Sequence, residues 1–134
     1  MVHALREAHR VLKPGGQLID LHPLDRDRKI FVQSRGVRRA VGRILVNASD
    51  VRAAVAAVEQ VIAEALYQKR SDLRFCVLNH FSSLRVWRRY VNGLTLSKPE
   101  PGLMAKVTQM FKHQGPDRRI VLETYLICQV VKKR

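Results

Sequence analysis

Asp20 and His22 are the residues of this sequence whose types and positions best suit catalysis. They end the short apolar run at residues 17–22, which stops at Pro23 and is typical of a strand buried on both faces. The carboxyl ends of strands in open α/β sheets face the ligand crevice, where a histidine can act as a general base or position a substrate. The alternative is that His22 only closes the strand and forms local hydrogen bonds.

His80 is a second candidate, placed before Phe81 and two serines. The alternative is a strand-end residue beside a helix cap. No serine, cysteine or lysine lies in a recognisable nucleophile motif, and no two carboxylates form a spaced acid/base pair. The five histidines are scattered without the spacing of metal ligands. The sequence therefore supports neither a hydrolase nor a metalloenzyme, and we expect no metal.

Positive charge is the strongest compositional signal. The formal net charge is +14 and the isoelectric point is about 10.9, which favours polyanionic partners, nucleic acid first. Residues 28–46 contain two β-rich runs joined at Ser34-Arg35-Gly36, and we interpret them as an inserted basic β-hairpin. A β-ribbon with arginines can follow a phosphate backbone. The candidate nucleic-acid contacts are Arg35, Arg38, Arg39 and Arg43.

A second basic cluster, at residues 85–90, mixes arginines with Trp87 and Tyr90, as single-strand binding proteins do. The alternative is that both aromatic rings belong to the core. They fall on the apolar face of a helix, with the arginines on its solvated side.

Length and composition predict one domain over residues 1–134. With 46% hydrophobic residues the chain is apolar enough to fold, yet no run is long enough to span a membrane. The first residues have no apolar signal-peptide core, so we expect a cytoplasmic protein. Cys76 and Cys128 are isolated in apolar stretches, which favours reduced, buried thiols.

Hydrophobic periodicity predicts alternating helices and strands, and hence an α/β layered architecture. A Lys-Pro-Gly-Gly turn at residues 13–16 separates the first helix from the first strand, and Ser49 or Asp50 is expected to cap the long second helix. The predicted helices are residues 2–12, 51–68, a segment after Ser82 or Ser83, and 103–112. The predicted strands are residues 17–22, 29–33, 37–46, 73–78 and 118–131.

Residues 10–20, RVLKPGGQLID, resemble the stretch of class I S-adenosylmethionine-dependent methyltransferases that leads into the fifth strand of their sheet. The later HFSSLRVW segment, at residues 80–87, is similar to an "hFxSlxeW" segment of the same family. The resemblance implies the C-terminal strands and helices of a partial Rossmann-like methyltransferase sheet, with the basic hairpin as an insertion.

The family holds its cofactor with a glycine-rich turn after the first strand and an acidic residue that ends the second. No GxG sequence occurs among the seven glycines of this chain. We therefore expect that the chain alone does not bind S-adenosylmethionine, the cofactor that the resemblance implies for the full-length family.

Three hypotheses follow. The chain is the substrate-side fragment of a methyltransferase, inactive without its missing N-terminal half. Alternatively, it is a basic nucleic-acid-binding protein on a decayed methyltransferase scaffold. In the third hypothesis an open apolar edge at residues 17–22 pairs with a second copy in a homodimer. The sequence does not identify the methyl acceptor.

Overall fold

The computed structural model describes residues 1–95 and 97–134. Helices and strands alternate along the chain, which agrees with the predicted α/β class. In chain order the elements of the described residues are α1 (Val2–Val11), β1 (Gln17–Pro23), β2 (Arg28–Ser34), β3 (Val37–Val46), α2 (Ala48–Ala63), β4 (Tyr67–Phe81), α3 (Leu84–Asn92), β5 (Ser97–Pro99), α4 (Leu103–Lys112) and β6 (Arg119–Lys133).

The six strands of the described residues form one open antiparallel sheet. Its strand order is β1-β6-β2-β3-β5, and β4 also pairs with β6. The predicted strand at residues 73–78 is the central part of a longer one, β4, while the short β5 lies where the sequence predicts only a break at prolines. Three residues are too few for a periodic pattern to be recognised.

Contacts divide the chain into two compact units. The first unit contains residues 1–25, 48–75 and 126–134, and the second contains residues 26–47 and 76–125. The long strands β4 and β6 contribute residues to both units. The expectation of a single domain stays a prediction.

The first unit packs α1 and α2 around the buried ring of Tyr67, at the start of β4. The Tyr67 hydroxyl donates to the Leu5 carbonyl at 2.9 Å, and burial raises the pKa of this phenol. At the end of α1, Lys133 donates to the carbonyls of His9 and Leu12 at 2.6 and 2.8 Å. A cation at these unpaired carbonyls also stabilises the helix dipole.

Helix α2 begins at Ala48, so Ser49 and Asp50 lie in its first turn and the predicted range of 51–68 is wrong at both ends. The helix ends in a Schellman motif. The Leu66 amide donates to the Val61 carbonyl and the Ala65 amide to the Ile62 carbonyl, with Ala65 at a φ of 59°. Alanine gives no sequence signal for a left-handed residue, which is why the pattern overran the end of this helix.

Strand β1 is not buried on both faces, contrary to the prediction. Ile19 and Leu21 are 68% and 57% exposed, while Leu18 packs on the core of the first unit. Among the described residues β1 lies at an edge of the sheet and pairs with β6 alone. An unbroken apolar run does not distinguish a strand covered on both faces from one covered on a single face.

The second unit contains the hairpin of β2 and β3, joined by Arg35 and Gly36. Both turn residues have positive φ, 50° and 75°, as a two-residue type I′ turn requires. The buried face of the hairpin contributes Ile30, Val32 and Ile44 to a core shared with α3 and α4.

Helix α3 supplies the largest side chain of that core, Trp87, which is fully buried. Ser83 caps the helix by accepting from the Val86 amide at 3.2 Å, as one of the two predicted caps. Tyr90 lies against the core, so both aromatic residues pack inside the protein.

Cys76 is exposed and Cys128 half-buried, so the prediction of buried thiols is wrong for Cys76. No helix of residues 1–95 and 97–134 has the length and apolar character needed to cross a membrane.

Candidate functional site

Asp20 and His22 form a hydrogen-bonded pair on β1. Side chains two residues apart on a strand project from the same face, and here the carboxylate Oδ2 lies 2.8 Å from the imidazole Nδ1. The side chains are only 17% and 10% exposed. A carboxylate at Nδ1 favours the tautomer with the proton on Nδ1, which leaves a lone pair on Nε2.

The other ring nitrogen of His22, Nε2, is buried and has no hydrogen-bond partner among the described residues. Directly across the ladder, Gln129 of β6 pairs with Asp20, and its side chain is also buried. The Oε1 atom of Gln129 likewise has no partner in the described part of the chain. Unpaired buried polar atoms cost roughly 1–3 kcal/mol each, and a native structure keeps few of them without a reason.

His80 belongs to the second unit and does not form such a pair. It is exposed near the end of β4 and lines a cavity of about 310 Å³. Four other residues line this cavity with Ser82. They include Asp117, Arg118 and Arg119, so the surroundings of His80 contain both signs of charge. No carboxylate is hydrogen-bonded to His80 among the described residues to orient its ring, in contrast to His22.

The four predicted nucleic-acid contacts of the hairpin separate into two groups. Arg38 donates to Gln33 at 2.9 Å, and Arg43 forms ion pairs with Asp27 and Glu100 at 3.4 and 3.7 Å. These side chains already have intramolecular partners. Arg35 and Arg39 instead line a concave surface beside α4.

Arg39 faces α4 because of its register in the hairpin. It pairs with Val32, whose side chain is buried in the same core as Val107 of α4. Lys106 and Met110 share one face of α4, and His113, the residue after the helix, completes the wall with them. We call this the α4 groove. Its cavity measures about 380 Å³ and is lined by Arg39, Ala40, Val41, Lys106, Gln109, Met110, His113 and Gln114.

A second cavity of about 380 Å³ adjoins the α4 groove and shares Arg39, His113 and Gln114 with it. Arg35, in the hairpin turn, lines this second cavity. Asp117 holds the turn in place, since its carboxylate accepts from the Arg35 amide at 2.7 Å and from the Ser34 hydroxyl at 2.9 Å. The hydrogen bond from the Arg35 amide has the larger effect on the pKa of Asp117, and it lowers this pKa together with the bond from the Ser34 hydroxyl.

The glycines do not provide a cofactor cradle of the dinucleotide type. Gly15 and Gly16 lead from helix α1 into strand β1, whereas a phosphate-binding turn leads from a strand into a helix. A side chain at Gly15 would also meet Lys132 at 3.3 Å, so this turn is filled by the protein itself. The residues of this chain therefore do not fit S-adenosylmethionine in the family's usual manner. Among residues 1–95 and 97–134, no three His, Cys, Asp or Glu side chains are grouped to hold a metal ion.

In comparison with known proteins, no family model, no curated protein and no solved structure matches this chain. The relationship to class I methyltransferases thus stays a prediction from residues 10–20 and 80–87.

Sequence reasoning missed Gln129 and the α4 side of the groove. The spacing of Lys106 and Met110 could have indicated it, because residues four apart share a helix face. The sequence does not show which face of the hairpin lies against that helix. Arg38 and Arg39 are adjacent in sequence and project from opposite faces of β3, and the pairing of Arg39 with the buried Val32 shows which face lies against the core.

Proposed function

We propose that this chain is the distal, substrate-side part of a class I methyltransferase, in which Asp20 and His22 act on the methyl acceptor. The observation that carries the proposal is the Asp20–His22 pair, 2.8 Å between carboxylate and imidazole, at the end of the strand that follows the RVLKPGG turn. In the mostly parallel sheet that the resemblance implies for the complete fold, ligands bind beside the carboxyl ends of the strands.

The order of elements supports the same proposal. Helix α1 ends just before the Lys-Pro-Gly-Gly turn and β1 follows it directly, as the resemblance implies. The long helix α2 follows after the hairpin of β2 and β3. The HFSSLRVW segment then spans the end of β4 and the start of α3, and the β-rich C-terminus is β6.

The chemistry available to the pair is proton acceptance. With Nδ1 donating to Asp20, the Nε2 atom of His22 can take a proton from a hydroxyl or amine of the acceptor. The carboxylate then stabilises the imidazolium that forms and holds the ring in place. The unpaired Oε1 of Gln129, on the strand directly opposite Asp20, can accept a hydrogen bond from the same ligand.

The exposed face of β1 supports a role as part of a larger assembly. Ile19 and Leu21 project from the face opposite Asp20 and His22, and both are more than half exposed. β1 also presents a free edge among the described residues. We propose that the cofactor-binding half covers this edge and supplies the glycine-rich turn that this chain does not have.

The first test is the coding DNA immediately upstream. The proposal expects a glycine-rich GxGxG segment there, in the same frame or one frameshift away. Unrelated sequence at that place would contradict it. Calorimetry should detect S-adenosylmethionine binding to the protein that includes this segment, and none to the 134 residues alone.

The second test compares His22→Gln with the matched control His80→Gln in the longer protein. Transfer of labelled methyl groups to an extract of the source cells is the measurement. Loss of a general base lowers the rate by about 10²–10⁴-fold, so the methyl-transfer rate of His22→Gln should fall by at least about 100-fold. His80→Gln should stay within about twofold. Equal activity of the two variants would exclude His22 as the base.

A further inference from the structure

The α4 groove combines exposed cations with an apolar floor. Arg39 and Lys106 are exposed, and neither forms an ion pair or a hydrogen bond through its side chain within residues 1–95 and 97–134. Ala40, Val41 and Met110 line the same cavity as these two cations. No carboxylate among the described residues lines this cavity or the adjoining one.

Three of the six cationic side chains of the hairpin, and Arg26 before it, are engaged by other groups of the protein. Arg28 donates to the Tyr90 hydroxyl at 3.0 Å, and the Arg26 guanidinium lies 4.6 Å from the ring centre of Tyr125. Arg38 and Arg43 are bound to Gln33 and to acidic side chains, respectively. Arg39 is left unengaged at the place where the surface is concave, and a cation so placed is available to an anionic ligand.

We infer that the α4 groove and its adjoining cavity bind a strand of single-stranded nucleic acid. The two concavities share Arg39, with Lys106 in one and Arg35 in the other, which suits a ligand with repeated phosphates. The amides of Gln109 and Gln114 offer hydrogen bonds to base edges.

A single strand fits this surface better than a duplex. The phosphates of a duplex would meet the cations at the rim, but its paired bases would not reach the apolar floor. An unpaired base can lie against Met110 and Val41 while its phosphate meets Arg39. Each cavity is within the size range of small-ligand pockets, about 300–1,000 Å³.

The experiment is a fluorescence anisotropy titration of the whole chain with labelled single-stranded DNA and RNA of about twelve nucleotides, at several salt concentrations. The groove variant is Arg39→Gln with Lys106→Gln. The matched control is Arg38→Gln with Lys112→Gln, which removes one arginine from β3 and one lysine from α4 outside the groove. All four residues are exposed, and unchanged thermal unfolding curves will show that each variant folds.

The groove variant should bind about tenfold more weakly at about 50 mM salt. Its slope of log affinity against log salt should fall by about 1.4, at about 0.7 for each phosphate contact with a single strand. The control should keep the slope of the unmodified chain.

Three results would overturn the inference. One is the absence of binding by the unmodified chain to either oligonucleotide at low salt. Another is an equal loss in both variants, which would assign binding to net charge alone. The third is a preference for another polyanion, seen as tighter binding to the matching duplex or as displacement by polyglutamate at equal charge.

Discussion

The two units differ in the surroundings of the polar atom on their largest buried aromatic ring. In the first unit the Tyr67 hydroxyl and the Lys133 ammonium both donate to main-chain carbonyls of α1 and of the turn that follows it. The second unit is built around Trp87, whose indole Nε1 is buried with no partner among the described residues. Phe81 and Tyr90 surround that ring at centroid distances of 5.3 and 6.0 Å.

This difference indicates two sources of stability. The first unit adds hydrogen bonds from β4 and β6 to main-chain carbonyls at α1 and its C-terminal end to the apolar packing of its own core. The second gains most from apolar packing, which also offsets the cost of an unpaired N–H group. Mutations that remove volume should therefore act most strongly in the second unit, and mutations that remove a donor should act most strongly in the first.

Trp87→Ala should give the largest effect. It removes the largest fully buried side chain and leaves a cavity between α3 and α4, at a cost of roughly 3–5 kcal/mol in unfolding free energy. Denaturant unfolding followed by circular dichroism is the measurement, because Trp87 is the only tryptophan and its fluorescence is lost. Val86→Ala, on the exposed side of the same helix, should cost under about 0.5 kcal/mol. A cost below about 1 kcal/mol for Trp87→Ala would contradict the packing account.

Lys133→Met tests the first unit. Methionine keeps most of the apolar stem but removes the donors to His9 and Leu12, and hydrogen bonds from charged groups contribute about 1.5–3 kcal/mol. We expect a loss of about 2 kcal/mol in the same unfolding measurement. Lys132→Met is the control, since neighbouring side chains of β6 alternate between faces. Equal effects of the two substitutions would show that the carbonyl contacts add no stability.

Asp117→Asn should give the smallest effect, confined to the hairpin turn. The lowered pKa of Asp117 means that its contribution to stability is complete above the ordinary pKa of aspartate, about 3.9, and is lost as pH falls through the lower folded value. The thermal midpoints of the unmodified chain and of Asp117→Asn should therefore differ at pH 7 and converge as the pH is lowered below about 4. Ser34→Ala removes one of the two donors to Asp117, so this variant should keep part of the pH dependence of the thermal midpoint. A difference that is constant with pH would disprove the role of the charge.

Most elements could be predicted from the sequence because they carry strong local signals. The Lys-Pro-Gly-Gly turn separates α1 from β1, and the Ser83 cap begins α3. The end of α2 was missed because Ala65 adopts a left-handed conformation without glycine. The burial of β1 was overestimated because an apolar run does not reveal which faces have neighbours.

The candidate sites were predictable in part. Asp20 and His22 were found because both lie on a single strand end, so that local geometry alone brings them together. Gln129 is more than a hundred residues away and joins them only through the register of β1 with β6. The same reason explains why Lys106 and His113 were not predicted as site residues. The packing of α4 on β3 is a long-range contact, and local periodicity carries no information about it.

The division of β6 between the two units has a consequence for folding during synthesis. Residues 119–125 complete the second unit and residues 126–134 complete the first, whose core includes Val131. The ribosome therefore releases the last segment of the first unit after every segment of the second. Long-range pairing of this kind slows folding. Strand β1 is synthesised first but cannot form its hydrogen bonds until β6, the last strand, has left the ribosome. We expect a chaperone that covers Ile19 and Leu21 during that interval to raise the yield of folded protein.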